Sequence, residues 1–134
     1  MRVVVVGLNN DFVKKFSKDF ASEIKCNYID FDEELNTYLM LQSMSDLQTA
    51  NEEFLILEEL LIKHSLDTDN FIMSISNETY LSNDNYKLFE NATTILLEKK
   101  EDDKTLRNIQ KLLKKHCKII IKQNNWNEKD FKHS

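Results

Sequence analysis

The sequence predicts one α/β domain of three layers, a sandwich in which a five-stranded parallel sheet lies between helices. Five short apolar runs, typical of buried strands, alternate with segments of helical periodicity along residues 1–134. This alternation favours parallel strands joined by right-handed crossovers. A chain of 134 residues is long enough to bury one hydrophobic core, and neither a repeat nor a low-complexity linker divides it.

The chain opens with a strand–turn–helix–strand unit. Arg2–Gly7 is a β-branched run that is apolar on both faces, as expected of a central parallel strand. It ends at Gly7, the only glycine of the chain. Three aromatic residues then recur at helical spacing and predict an amphipathic helix: Phe12, Phe16 and Phe20. A second strand is predicted over Cys26–Asp30, and it leads into an acidic run.

The same alternation continues to the end of the chain. Helices are predicted where apolar residues recur every three or four positions, over Phe31–Leu41, Asn51–His64, Asn83–Asn91, Lys104–His116 and Trp126–Lys132. Strands are predicted at the short apolar runs Phe71–Ile75, Thr93–Leu97 and Lys118–Lys122.

The composition is that of a globular protein in the cytoplasm. Hydrophobic residues make up 41% of the chain and charged residues 31%. We expect no membrane association, because no apolar run approaches the roughly 20 residues that span a bilayer. The N-terminal residues also do not resemble a signal peptide. Cys26 and Cys117 lie far apart without metal-ligand spacing, which indicates reduced thiols.

The charge is distributed unevenly along the chain. Residues 1–98 contain 18 acidic and 7 basic residues, whereas residues 99–134 contain 5 acidic and 11 basic residues. The basic C-terminal third could meet an anionic partner, or it could be a solvated lysine-rich face beside an acidic body. Nucleic-acid binding is not expected, because these lysines are not interleaved with aromatic residues.

A strand–turn–helix opening is where α/β proteins bind phosphate, but this turn has unfavourable chemistry. Glycines let the backbone of such a loop approach the anion, and this chain has only Gly7. Asp11 stands where the helix is expected to begin. As the N-cap it would accept the free amide hydrogens and repel a phosphate.

This order of elements resembles the shikimate kinase family of P-loop phosphotransferases over essentially the whole length. Val3–Gly7 is similar to the family's first strand and opening glycine, and Tyr28–Glu34 to its second strand with an Asp-x-Asp pair. Further similar segments are Met44–Leu47, Asn51–Glu58, Phe71–Ser74, Thr94–Leu97, Cys117–Ile121 and Asn127–Asp130.

The family's phosphate-binding sequence, GxxxxGK[ST], is not preserved. Counted from Gly7, its second glycine, lysine and hydroxyl positions hold Phe12, Val13 and Lys14. Lys14 therefore stands one place late, about 100° around the helix from the family's lysine. A bound nucleotide would meet Gly7, Lys14 and Lys15; the alternative is that the two lysines lie on a solvated face of the helix.

Other functional positions of the family are also replaced. Leu55 stands at a substrate-binding arginine, Ser76-Asn77-Glu78 at a triple glycine, and the short Glu98–Asp103 connection at a mobile lid. The resemblance preserves two acids. It implies Asp30 as a magnesium-associated residue and Asp32 as a ligand for a substrate hydroxyl. The alternative is that these acids cap the next helix and form its acidic first turn.

Three functions follow from these observations. The first is a catalytically degenerate member of the fold, a pseudoenzyme without a cofactor that binds an unknown protein partner or a small hydroxylated ligand. The second is a minimal active kinase for shikimate or a similar molecule. It would use Mg-ATP, with Lys14 or Lys15 as the phosphate-binding lysine and the metal at Asp30. The third is an interaction module that shares only the architecture.

Overall fold

The computed structural model describes residues 1–41 and 52–122. The strands are β1 (Arg2–Gly7), β2 (Asn27–Asp30), β3 (Phe71–Ser74), β4 (Thr93–Glu98) and β5 (Ile119–Lys122). The α-helices are α1 (Asn10–Glu23), α2 (Phe31–Leu41), α3 (Glu52–Leu66), α4 (Asn77–Leu81) and α5 (Lys104–His116). The helix predicted over Trp126–Lys132 and the segment Met44–Leu47 lie outside the described residues.

The predicted five-stranded parallel sheet is confirmed. Its strand order is β2-β3-β1-β4-β5, and every neighbouring pair is parallel. β1 lies at the centre because both of its faces are apolar. The side chains of Val3–Val6 are at most 4% exposed.

The two faces of β1 separate the core into two apolar clusters. Val3 and Val5 pack with α1 through Phe12 and Val13. Val4 and Val6 pack on the opposite face, where the other described helices contribute apolar side chains: Phe31, Leu35, Phe54, Ile62, Tyr80 and Leu113. Alternation of side chains along the strand thus produces the predicted three layers.

The segment between β3 and β4 differs from the prediction. Instead of one α-helix over Asn83–Asn91, the chain forms α4 and then a 3₁₀ segment over Ser82–Phe89. Ser76 starts α4 by accepting a hydrogen bond from the Thr79 amide. Asn83 and Asp84 adopt positive φ, which asparagine and aspartate tolerate better than most residues. Local side-chain capping therefore outweighs the helical spacing of Tyr86 and Phe89.

No helix in the described ranges, 1–41 and 52–122, is both long and apolar enough to cross a bilayer.

Candidate ligand-binding cleft

The candidate cleft lies at the carboxyl ends of β1, β2 and β3. β3 is the middle strand of the three, and Ser74 at its end is in register with Val5 of β1 and Asp30 of β2. The turn after β1 and the start of α2 therefore meet at one edge of the sheet. Ligands of open α/β sheets bind at this edge.

The turn after β1 is short and capped by asparagine. Only Leu8 and Asn9 separate Gly7 from α1, which begins at Asn10. Asn9 is the N-cap, and its side-chain oxygen accepts a hydrogen bond from the Phe12 amide at 3.1 Å. The prediction that Asp11 is the N-cap was wrong: it lies in the first turn of α1. Asn9 takes that place because its backbone is extended, as the N-cap position requires.

A network of side-chain amides covers the end of β1. The Asn77 side chain is 6% exposed and donates hydrogen bonds to the carbonyl of Gly7 at 3.0 Å and to Oδ1 of Asn10 at 3.2 Å. Asn10 in turn donates to the Glu78 carboxylate at 3.1 Å. Sequence reasoning missed this network, because its partners are 67 to 70 residues apart.

Two neighbouring residues of α1 point to different surroundings. Val13, at the position of the family's phosphate-binding lysine, is 1% exposed and packs in the core. A Cβ atom on Gly7 would lie 3.1 Å from Val13 Cγ2 and 3.2 Å from the Leu97 carbonyl oxygen. Lys14 instead reaches the cleft, where its Nζ lies 3.7 Å from Oδ2 of Asp30. Lys15 is half-buried on the same helix.

The two acids at the start of α2 have different partners. Asp30 Oδ1 accepts a hydrogen bond from the Glu33 amide at 3.1 Å, so that Asp30 caps α2. Asp32 lies in the acidic first turn and accepts a hydrogen bond from the Ser76 amide at 3.4 Å. Burial raises the pKa of Asp32 above the usual range for a carboxyl group. Within the described residues, no three His, Cys, Asp or Glu side chains are arranged to hold a metal ion.

A third acid, Glu58, is buried behind this pair. Its side chain is 2% exposed and accepts a hydrogen bond from the Asn85 amide at 2.8 Å. This bond joins α3 to the segment after β3. Within that segment, Asn85 also donates to the carbonyl of Thr79 at 2.9 Å. Burial raises the pKa of Glu58, and the charge of Asp32 raises it further. Asp32 and Glu58 therefore share an environment that disfavours two negative charges.

These raised pKa values predict a pH-dependent stability. A carboxyl group whose pKa is higher in the folded state stabilises the fold fully below its unfolded pKa of about 4. That contribution is lost as the pH rises through the folded pKa. We expect Glu58→Gln to flatten the decline in the free energy of unfolding above pH 4, as measured by urea denaturation at several pH values.

Two variants control this experiment. Glu58→Ala removes one of the two acceptors of the buried Asn85 amide, and we expect it to cost about 1–3 kcal/mol. Glu52→Gln removes an exposed carboxylate from the same helix and is expected to keep the pH dependence of the wild type. An unchanged slope in Glu58→Gln would contradict a role for Glu58.

The strand order and the cleft define a class: this is the fold of the P-loop kinases. Solved shikimate kinases are similar to the chain. The enzyme from Aquifex aeolicus aligns with a TM-score of 0.66 at 17% identity, over 98% of this chain and 90% of its own. The Bacteroides thetaiotaomicron enzyme aligns with a TM-score of 0.65 at 16% identity, over 91% and 86% of the two chains.

Two further structures extend the comparison. The Acinetobacter baumannii shikimate kinase, solved in complex with shikimate, aligns with a TM-score of 0.66 at 10% identity, over 97% of this chain and 88% of its own. Dephospho-CoA kinase from Campylobacter jejuni aligns with a TM-score of 0.51 at 14% identity, over 98% and 91% of the two chains. No protein-family model and no curated protein matches the sequence. The predicted resemblance is thus confirmed for the fold.

Proposed function

We propose that this chain is a binding protein on a shikimate-kinase-like fold and does not transfer phosphate. The observation that carries the proposal is the start of α1 at Asn10, with only two residues between it and Gly7. A phosphate-binding loop needs four residues between its glycines and free amides at the helix start. Here the turn is shorter, and the Phe12 amide already donates to Asn9.

The side chains around the turn also do not fit Mg-ATP. The family's lysine position holds buried Val13, and the Asn77 side chain covers the end of β1, where it donates to the carbonyl of Gly7. Both carboxylate oxygens of Asp30 face partners within the protein, the Glu33 amide and the Lys14 ammonium group. Phosphoryl transfer depends on positioning and charge neutralisation, so these replacements remove its main contributions.

The proposed role is to bind a small hydroxylated ligand or a protein partner without a cofactor. Asp32 supports the first possibility, because its partly buried carboxylate lies beside the Ser76 amide at the edge of the cleft. A carboxylate in such surroundings can accept hydrogen bonds from hydroxyl groups. The shikimate bound to the Acinetobacter baumannii enzyme is a precedent for such a ligand in this fold.

The second candidate is a minimal kinase, and one observation favours it. The Lys14 ammonium group lies in the cleft, 3.7 Å from Asp30. In this proposal Lys14, with Lys15 behind it, would neutralise a phosphate, and Asp30 would hold Mg²⁺. It requires a rearrangement of the Asn9 cap, because the free amides that bind phosphate are otherwise engaged.

Thermal unfolding with and without ligands separates the two candidates. A ligand at 100 times its dissociation constant stabilises a protein by about 2.7 kcal/mol, which shifts the midpoint by several degrees. We expect no shift with millimolar Mg-ATP and a positive shift with shikimate that Asp32→Asn abolishes. ADP release that depends on shikimate, and that Lys14→Met abolishes, would instead establish the kinase.

A further inference from the structure

A groove that adjoins the candidate cleft at Asp30 runs along α2 and α3. It consists of two adjoining clefts that share Tyr38 and Leu61. One cleft, of about 500 Å³, is also lined by acidic residues: Asp30, Glu33 and Glu34. The other cleft, of about 440 Å³, is also lined by Leu57, Leu60 and His64. We call this continuous depression the α2–α3 groove; it is acidic at one end and apolar at the other.

The apolar part of the groove belongs to a larger exposed surface. Three large apolar side chains at or beside the groove are more than a third exposed: Tyr38 (38%), Ile56 (52%) and Leu60 (58%). Ile56 and Leu60 lie one helical turn apart, so their side chains share one face of α3. Exposed apolar side chains that are grouped at a groove mark an interaction site more often than single exposed residues do.

The charge beside the groove restricts what can cover it. Pairing two copies through this face would bring together their acidic residues Glu33 and Glu34, which repel each other. The rest of residues 1–98 is also acidic overall, since this range contains 18 acidic and 7 basic residues. The basic helix α5 is also a poor occupant. Its residues Ile109 and Leu113 pack against the core of the domain. Its two exposed leucines, Leu106 (38%) and Leu112 (50%), lie six residues apart, a spacing that places them on different faces of the helix. An occupant therefore has to combine an apolar stripe with positive charge.

We propose that the α2–α3 groove binds a cationic amphipathic helix of another protein. Apolar residues at positions i, i+3 or i+4, and i+7 of that helix would contact Tyr38, Leu57 and Leu60. Lysine or arginine residues beside them would meet Glu33 and Glu34. This proposal rests on the proposed binding role and names its protein partner. The groove lies beside the cleft and does not involve the amide network at β1.

The test uses two synthetic helical peptides that have the same leucine spacing and carry either lysine or glutamate at the flanking positions. Fluorescence anisotropy is expected to detect binding of the lysine peptide alone. Leu60→Asp should weaken that binding at least tenfold. The matched control is Leu112→Asp, at a residue of similar exposure on α5, and it should bind as the wild type does. The double variant Glu33→Lys, Glu34→Lys should also weaken binding and reduce its salt dependence.

Three results would overturn the proposal. The first is equal binding of the two peptides, and the second is binding of the lysine peptide that Leu60→Asp leaves unchanged. The third is a wild-type dimer in sedimentation that Leu60→Asp dissociates, because the occupant is then a second copy. Circular dichroism establishes that each variant is folded. The ADP-release assay is independent: kinase activity would overturn the proposed function, whereas a failure of peptide binding alone would leave small-ligand binding in place.

Discussion

Replacing Val13 with lysine is expected to destabilise the protein by about 3–5 kcal/mol, because an unpaired charge enters the core. Val13 stands at the phosphate-binding lysine position of the resembled family, but its side chain is 1% exposed and packs with Val3, Val5 and Leu97. The free energy of unfolding of such a domain is about 5–15 kcal/mol, so this loss is a large part of the total stability. Urea denaturation measures it, and we expect the variant not to gain affinity for Mg-ATP.

Val13→Met controls for the volume of the new side chain. Methionine has an unbranched chain like that of lysine but no charge, so the difference between the two variants isolates the charge. We expect Val13→Met to cost about 1–3 kcal/mol through overpacking near Gly7. A Val13→Lys variant that unfolds at the wild-type midpoint and binds Mg-ATP would show that the turn can form a phosphate site. It would contradict the inference that the short, capped turn excludes a phosphate.

Phe31→Ala is expected to cost about 3–5 kcal/mol, the usual range for a buried phenylalanine. Phe31 is the first residue of α2, is fully buried, and packs in the same cluster as Val4 and Val6. It lies between Asp30 and Asp32, so its packing holds both acids at the edge of the cleft. We therefore expect Phe31→Ala also to weaken the binding of any ligand that contacts Asp32. Denaturation and the thermal-shift experiment measure the two effects.

Tyr38→Ala is the matched control on the same helix. Tyr38 is 38% exposed, so its removal creates no closed cavity and should cost less than about 1 kcal/mol. It should weaken binding of the cationic peptide, while the thermal shift with shikimate should stay unchanged. If Phe31→Ala cost as little as Tyr38→Ala, the packing of Phe31 would not be what positions α2.

Much of the fold was predictable because its signals are local. The β-branched run Val3–Val6 predicts a strand buried on both faces, and such strands lie at the centre of parallel sheets. The spacing of Phe12, Phe16 and Phe20 predicts α1, where these rings lie on one face. Alternation of strands and helices then restricts the connections to parallel crossovers.

The capping of the helices was less predictable. Asp11 and Asn9 are both acceptable N-cap residues, and the choice depends on where the backbone leaves β1. The 3₁₀ segment after α4 was missed for a similar reason. The spacing of Tyr86 and Phe89 favours a regular helix. Instead, Ser76 starts the shorter helix α4, and the positive φ of Asn83 and Asp84 interrupts helical geometry after it.

By itself, the sequence determined the sheet, its central strand and the absence of the usual phosphate-binding residues, because these depend on residue types and short spacings. Only the tertiary structure shows how the end of β1 is covered at the cleft. The bonds of Asn77 to Gly7 and Asn10 join residues that are distant in the chain, and only the pairing of β1 with β3 brings them together. The burial of Glu58 and the α2–α3 groove likewise depend on how helices pack, which residue spacing within one helix does not specify.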